Sequence, residues 1–279
     1  MISIKIFIQL ALIFVILAET LSFFPVDTLA APMSCNWQFT FGDEFAGTNL
    51  NTAKWNTQYP SGNSGEKQYY APDAVTLQDG MLKITAENRQ MNGYPYTSGI
   101  ITTQKRFSQK FGFFIIRAKL PNGQGFWPAF WMLPAQPDYP TEIDVFEMLG
   151  NDPSVIYMSN HWKDTGAGHR QQIISYQGPD FSTKFHTFSL LWNPSELIWY
   201  VDGVELYRTK EGVPATPMFL LVNLAVGGRW PGDPDGTTPF PSSMEVDYLH
   251  VYKRTCRPVL PDCAGWVGAP DYDYSKHCH

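Results

Sequence analysis

The chain has 279 residues, with 20 basic and 26 acidic side chains, so its formal net charge at pH 7 is −6. Nucleic acids are bound by clustered lysine and arginine, and because the sequence contains no such cluster, we expect no nucleic-acid partner. The length suits one large all-β domain or two small ones and is ample for a buried core.

Residues 1–31 are typical of a secretory signal peptide. A short polar start containing Lys5 precedes an apolar run from Ile6 to Leu17 and the small residues Leu29-Ala30-Ala31, which predict cleavage near Ala30 or Ala31. The alternative is an uncleaved anchor, but about twelve apolar residues fall short of the roughly 20 that a spanning helix needs. We therefore expect a secreted, extracellular protein without membrane contact after cleavage.

From Cys35 to Arg254 the apolar residues recur with a period of two, which is the spacing of β-strands. Strands are predicted at Ala74–Gln78, Met81–Ala86, Phe111–Leu120, Glu142–Met148, Ile156–Trp162, His186–Trp192, Leu197–Val201, Phe219–Val226 and Met244–Tyr252. Turn sequences such as Asp79-Gly80 and Asp202-Gly203 separate them. Many short strands with such turns predict a sandwich or barrel at residues 32–254, followed by a tail at residues 255–279.

Four cysteines in an exported chain predict disulfides. They are Cys35, Cys256, Cys263 and Cys278. Three pairings are open, and each joins the tail to itself or to the N-terminal strand. The alternative is that the last three residues, His277-Cys278-His279, bind a metal ion. No partner motif with zinc-site spacing accompanies them. We expect all four sulfur atoms to be paired.

Two tryptophans stand out among 9 Trp, 14 Tyr and 19 Phe residues. Trp127 and Trp131 lie in QGFWPAFWMLP, between glycine and proline residues. Flat aromatic faces pack against the C–H faces of sugar rings. We expect both indoles to line a groove, and the alternative is that they belong to the core.

The segment TEIDVFEMLG carries the acids Glu142, Asp144 and Glu147. In a regular strand Glu147 would face away from the other two, but a β-bulge between Asp144 and Glu147 would return it to their face. Unpaired carboxylates are costly to bury in an apolar strand, which favours a functional role over a solvated strand face. Glycoside hydrolysis uses such a pair, and clustered negative charge raises at least one pKa.

The sequence EIDVFE resembles the catalytic signature of glycoside hydrolase family 16 in its bulged form, as in laminarinases, the endo-β-1,3-glucanases. The similarity extends to segments at residues 41–45, 66–70, 79–86, 111–121, 126–134, 160–162, 223–232 and 244–252. This resemblance implies a concanavalin-like β-jelly-roll sandwich of two curved antiparallel sheets, with the substrate on the concave sheet. It also implies a retaining mechanism, with the two glutamate carboxyls about 5 to 5.5 Å apart.

The resemblance also assigns roles to individual residues. It makes Glu142 the nucleophile and Glu147 the general acid/base, with Asp144 tuning Glu142 through a hydrogen bond. The substrate-binding positions that it implies are Trp127, Trp131, His161, Asn223 and Trp230. His161 is expected near the acid/base side, and the alternative is a core histidine.

Two departures from similar laminarinases bear on the preferred glucan: Ile100 stands where many carry arginine, and Gly65-Glu66 stands where many carry Asn-Glu.

The family also often holds a calcium ion on its convex side. Its ligand positions match Glu44, Gly80 and Asp247, and oxygen ligands suit such a hard cation. The alternative is that these three positions are ordinary turn and surface residues that bind no ion. We expect no cofactor for catalysis.

The sequence therefore predicts a monomeric endo-acting hydrolase of β-1,3-glucan or mixed-linkage β-1,3-1,4-glucan. The alternatives are a galactan hydrolase or transglycosylase of the same fold, and a non-catalytic β-glucan recognition protein. Recognition proteins that resemble this family typically lack the catalytic acids, so the presence of all three favours catalysis.

Overall fold

The computed structural model describes residues 33–164 and 166–258, and the signal peptide predicted at residues 1–31 lies outside these ranges. The strands are β1 Met33–Asp43, β2 Gln68–Tyr70, β3 Val75–Gln78, β4 Met81–Ala86, β5 Tyr96–Ser98, β6 Ile100–Thr102, β7 Gly112–Lys119, β8 Phe126–Pro134, β9 Glu142–Met148, β10 Val155–Asp164, β11 Gly168–Gln177, β12 His186–Asn193, β13 Glu196–Val201, β14 Val204–Thr209, β15 Met218–Val226 and β16 Ser242–Pro258. Within the described ranges, the helices are two 3-10 turns at Asn63–Gly65 and Pro72–Ala74. Neither has the length or apolar character to cross a membrane.

Two antiparallel sheets make up most of the compact unit Cys35–Arg257. One has the strand order β14-β13-β12-β7-β16-β4-β3, with β1 paired to β16, and the other has the order β11-β10-β9-β8-β15-β6. A short parallel pair, β2 and β5, stands apart from both. Strands that are distant in sequence lie side by side, as β7 does with β16 and β8 with β15. This pairing is typical of a jelly-roll sandwich, and the predicted all-β fold is confirmed.

The core lies between the two sheets because alternate strand residues point into it. In β7, Phe114, Ile116 and Ala118 are fully buried, while the residues between them are partly exposed. Strand β15 is buried along its whole length. One of its faces packs into the core, and the other lies beneath the cleft described below.

Tight turns join the hairpins at the predicted positions. Asp79 and Gly80 connect β3 to β4 with φ values of 55° and 74°, and Asp202 and Gly203 connect β13 to β14 with 49° and 77°. Two consecutive positive φ values define a type I′ turn, whose twist matches that of the flanking strands and which Asp-Gly favours.

All nine predicted strands are present, with bounds shifted by a few residues. The largest difference is at the end, where β16 continues past Arg254 to Pro258 and so includes the start of the predicted tail. The strands outside these nine predicted ranges are β1, β2, β5, β6, β8, β11 and β14.

A disulfide joins Cys35 on β1 to Cys256 on β16. It ties the N-terminal strand to the last one, which is one of the arrangements that the sequence left open. Cys263 and Cys278 lie outside the described residues, so their pairing stays a prediction.

Replacing Cys35 and Cys256 together with serine should lower the free energy of unfolding by about 2 to 4 kcal/mol, because the bridge restricts the unfolded chain. The urea midpoint of the secreted protein measures this loss. The matched control is the Cys263→Ser/Cys278→Ser variant, which keeps the bridge between β1 and β16. Its midpoint should fall less, because the Cys35–Cys256 bridge closes a far longer loop, with a sequence separation of 221. Equal midpoints for wild type and the Cys35/Cys256 variant would contradict the expectation.

Candidate active site

The predicted β-bulge is present in β9 and brings the three acids to one wall. On β8, the consecutive residues Phe130 and Trp131 pair with Phe146 and Asp144, so Val145 is an extra residue in β9. The register between β9 and β10 shifts at the same place. As a result, Glu142, Asp144 and Glu147 all line one cleft. The predicted separation of the two glutamate carboxyls stays a prediction.

This cleft lies on the outer face of the six-stranded sheet and has a volume of about 330 Å³. Its floor and walls are formed by Trp127, Ala129, Trp131 and Leu133 of β8, the three acids of β9, Asn223 and Ala225 of β15, and Tyr59, Asn63, Ser64, Glu66, Tyr70 and Tyr139. Trp127 and Trp131 therefore line the groove, as expected, and do not belong to the core. A second depression continues past Glu142 and Tyr139 to His161 and His169.

Asp144 is the most buried of the three acids, with 3% of its surface exposed. The hydroxyl of Ser159, on β10, donates a short hydrogen bond to its Oδ2. The indole N–H of Trp199 donates to its backbone oxygen at 2.9 Å. These bonds hold Asp144 between its neighbours on β9, and neither donor was identified from the sequence.

The two glutamates have different surroundings. Burial, followed by the nearby carboxylates of Asp144 and Glu147, raises the pKa of Glu142 well above its usual value. Burial and the Asp144 carboxylate also raise the pKa of Glu147 well above its usual value, while a hydrogen bond of 2.9 Å from the indole N–H of Trp127 partly opposes the rise. Three acids this close cannot all be ionised at little cost, so the cluster tends to retain a proton.

Aromatic rings surround Glu147. The ring of Trp127 meets that of Trp230 edge to face, with centroids 5.5 Å apart, and Trp230 contacts Tyr157 at 4.7 Å. Tyr157 is the β10 residue directly opposite Glu147. Trp230, which is 38% exposed, therefore lies at the Glu147 end of the site.

A polar network supports the floor at Trp131. The indole N–H of Trp131 donates to Asn223 Oδ1 at 2.7 Å, and the amide of Asn223 donates to the hydroxyl of Tyr70 at 3.0 Å. The Tyr70 hydroxyl in turn donates to Glu66 at 3.5 Å. Burial raises the pKa of Glu66, although hydrogen bonds from Gln68 and Tyr70 oppose the rise.

Glu66 is thus a fourth cleft carboxyl, and it was not among the predicted site residues. Its motif, GEKQYY, was part of the family resemblance, but one acid in a loop carries no strand spacing to reveal its position. Ile100, the departure noted from the sequence, is fully buried with Tyr70 and Leu221, in a cluster packed against Tyr59 and Trp131. It supports the cleft floor from below.

The expected position of His161, on the acid/base side, was wrong. His161 lies opposite Glu142 in the β9–β10 register, whereas Tyr157 lies opposite Glu147. Its Nε2 is 3.8 Å from Glu142 Oε1 and 3.5 Å from Asp144 Oδ2. The register of β10, which the sequence does not reveal, decides which acid this histidine faces.

The three residues predicted to bind calcium do not line this cleft. The carboxylate of Asp247 is paired with the guanidinium of Arg117, and Glu44 Oε1 lies 2.6 Å from Nε2 of His250. Gly80 is the second residue of the β3–β4 turn. A basic side chain accompanies each carboxylate, so a calcium ion that used both carboxylates would have to replace these two contacts. Calcium binding stays a prediction that no catalytic step below uses.

Within the described ranges, one group of three acidic or histidine side chains has its ligand atoms within 4.8 Å of one another: Glu142, Asp144 and His161. These are two of the three clustered acids and their histidine neighbour. We assign no metal to them.

Comparison with known proteins identifies the family. Residues 62–250 match the sequence model of glycosyl hydrolases family 16. The chain is 34% identical over 242 residues to endo-1,3-1,4-beta-glycanase ExsH of Rhizobium meliloti (strain 1021), covering 76% of this chain and 51% of the relative. It is 36% identical over 274 residues to glucan endo-1,3-beta-glucosidase A1 of Niallia circulans, covering 82% of this chain and 39% of the relative.

The fold comparison agrees. The catalytic domain of an endo-1,3-beta-glucanase (laminarinase) from Thermotoga petrophila RKU-1 has a TM-score of 0.73 and 37% sequence identity, with 78% of this chain and 98% of that chain covered. The chain spans about half or less of the length of the two curated relatives. The family match covers more than half of this chain and includes the strands β8, β9 and β15 that line the cleft. The chain therefore belongs to family 16 of the glycosyl hydrolases.

Proposed function

We propose that this protein is a retaining endo-β-1,3-glucanase that hydrolyses laminarin-type or mixed-linkage β-1,3-1,4-glucan. The observation that carries the proposal is the bulge at Val145, because it places two glutamates and an aspartate on one wall of an open, aromatic cleft. The printed names of the relatives, which describe enzymes of β-1,3- and β-1,3-1,4-glucans, support the same substrate class.

In the first step, a carboxylate oxygen of Glu142 attacks the anomeric carbon while Glu147 gives its proton to the departing glycosidic oxygen. A covalent glycosyl-enzyme forms and the shortened glucan leaves. In the second step, water attacks the same carbon, Glu147 takes the proton of that water, and the bond to Glu142 breaks. Two inversions give overall retention, and Glu147 ends protonated as it began.

The division of roles follows from where the shared proton is stable. Burial beside the rings of Tyr157 and Trp230 favours the neutral form of Glu147, and the hydrogen bond from the indole N–H of Trp127 opposes this only in part. Burial raises the pKa of Glu142 as well, but the imidazole of His161 lies 3.8 Å from its Oε1. In this proposal that neighbour favours the charged form of Glu142, while Glu147 holds the proton. A neutral acid at Glu147 and an ionised nucleophile at Glu142 are what the first step requires.

Sugar binding in this proposal uses aromatic faces and fixed polar groups. Trp127 and Trp131 present rings to the cleft, on which sugar C–H faces pack. Asn223 and Glu66, held by the network beneath Trp131, are placed to bond hydroxyls. Such groups fix the orientation of a ligand whose bulk is bound by stacking.

We further propose that the protein is exported and acts as a monomer. The leader-like sequence at residues 1–31 supports export. The Cys35–Cys256 disulfide supports it independently, since such bridges persist in oxidising compartments.

A panel of laminarin, lichenan, agarose and carrageenan tests the substrate class through release of reducing ends. We expect laminarin to give the fastest release, with oligosaccharides of several lengths appearing early because the cut is internal. Release from agarose or carrageenan without release from laminarin would identify a galactan hydrolase. Binding of laminarin without any release would identify a recognition protein.

Azide distinguishes the two glutamate roles through the stereochemistry of the product. In Glu142→Ala, azide should occupy the vacated space and convert an activated aryl glycoside to the inverted α-glycosyl azide. In Glu147→Ala, the glycosyl-enzyme should still form from a good leaving group, and azide should intercept it as the β-glycosyl azide. NMR of the products reads the configuration, and exchanged products would show that the roles are reversed.

Trp127→Phe should move the alkaline limb of the kcat/KM profile to higher pH by about 0.5 to 1 unit, the equivalent of one hydrogen bond. The indole N–H stabilises the charged form of Glu147, so its removal raises the pKa of Glu147. An acid with a raised pKa stays protonated, and active, to higher pH.

Trp131→Phe is the matched control, because Trp131 donates to Asn223 and not to Glu147. It should lower kcat/KM without moving the alkaline limb. An equal movement of the limb in both variants, or none in Trp127→Phe, would contradict the expectation.

A further inference from the structure

Two histidines that face each other beside the nucleophile carry an inference beyond the family assignment. His161 lies opposite Gln171 and His169 lies opposite Lys163 in the β10–β11 pairing. The two histidines are therefore diagonal neighbours on one sheet face. Their rings meet, with Nδ1 of His161 and Nε2 of His169 3.0 Å apart. That distance is a hydrogen bond, so one proton lies between them.

The other side of His161 determines where its own proton is. Its Nε2 faces Glu142 Oε1 at 3.8 Å and Asp144 Oδ2 at 3.5 Å. Ionised carboxylates only accept hydrogen bonds, and an imidazole lone pair pointed at two of them would be repelled. Nε2 of His161 therefore carries hydrogen.

Ser159 makes the chain of donors continuous. Its hydroxyl donates to Asp144, which leaves its oxygen free to accept. Nε2 of His161 lies 3.4 Å from that oxygen. With hydrogen on Nε2, neutral His161 has an unprotonated Nδ1 and must receive the inter-ring hydrogen bond from Nε2–H of His169. Each donor then meets an acceptor, from His169 through His161 and Ser159 to Asp144.

We propose that His169 is a positioning residue, which holds the imidazole of His161 with its Nε2–H directed at the nucleophile Glu142 and its partner Asp144. The inference rests on the proposed function for the role of Glu142. His169 is able to donate to neutral His161 and, in its other tautomer, to accept from protonated His161. It therefore keeps Nε2–H of His161 directed at the carboxylates in both states.

This direction matters because other groups around Glu142 disfavour its charge. The ionisable groups near it are Asp144 and Glu147 of β9, Asp138 and Tyr139 before β9, Tyr59 and Glu66 before β2, His161 of β10, and His169 behind it on β11. Within the described ranges, no side chain donates a hydrogen bond to the Glu142 carboxylate in the free protein. The Nε2–H of His161, which Ser159 accepts, lies on the side of the ring that is 3.8 Å from Glu142 Oε1, and the positive end of this N–H dipole stabilises the charged form of Glu142.

The test compares His169→Gln with His169→Phe. Glutamine keeps a group that donates or accepts, whereas phenylalanine keeps the ring and removes the hydrogen bond. His169 lies exposed on an edge strand, and His169→Ala serves as a second variant if the phenylalanine variant does not fold. Folding is checked by circular dichroism and thermal unfolding.

The first readout needs no substrate. Ring nitrogen spectra of 15N-histidine-labelled protein report which nitrogen of His161 carries hydrogen. We expect Nε2–H in the wild type and in His169→Gln, and a mixture of tautomers in His169→Phe. A His161 tautomer that is the same in all three proteins would overturn the proposal, whatever glycan the enzyme cleaves.

The second readout is the acidic limb of kcat/KM against pH, measured on the best substrate of the panel. In His169→Phe it should move to higher pH by about 0.3 to 1 unit, because the N–H dipole of His161 is no longer held toward Glu142, where it favours the ionised form. In His169→Gln it should stay near the wild-type position. A limb that moves equally in both variants, or in neither, would overturn the proposal.

His250→Phe is the matched control for replacing a histidine that contacts a carboxylate. His250 lies on β16 of the other sheet and contacts Glu44, so its replacement should leave the acidic limb and the His161 tautomer unchanged. Absence of glucan hydrolysis in the wild type would reject the proposed function while leaving the tautomer result interpretable.

Discussion

One extra residue in β9, Val145, is the constraint on which the whole site depends. Without the bulge, the alternation of the strand would turn Glu147 into the core, where an unpaired carboxylate is costly. With it, Val145 and Phe146 are both buried in the core and Glu147 reaches the cleft. The same irregularity therefore satisfies core packing and gathers the acids, which is why bulges are often found next to active sites.

The Asp144 carboxylate raises the pKa of both glutamates, so repulsion alone would not decide which of the two holds a proton. The asymmetry comes from the neighbouring strands. Strand β8 supplies Trp127 at the Glu147 end, while β10 supplies His161 at the Glu142 end. Antiparallel pairing on both sides of β9 thus sets two different environments for chemically identical groups, as acid/base division requires.

Much of the fold could be predicted because central strands bury a full face, and alternation then appears in the sequence, as in β7 and β16. The edge strands β11 and β14 escaped prediction for the opposite reason. In β11, Ile173 is 45% exposed and no residue is buried, so apolar side chains were not required there. Strand β8 has bulky residues on both faces, one toward the core and one toward the cleft, and this hides its alternation.

The acids of the site could be predicted because all three lie on one strand, where spacing and the cost of burial are local properties. Glu66, Ser159 and His169 depend on contacts between strands or loops that are distant in sequence, and His161 was placed at the wrong acid because strand register is also non-local. The polar sequence of β11 weakens its strand pattern, yet it allows a histidine to stand exposed beside the cleft. Such a departure from the local pattern is expected where function competes with folding, and the pair of His169 and His161 lies at that point in the fold.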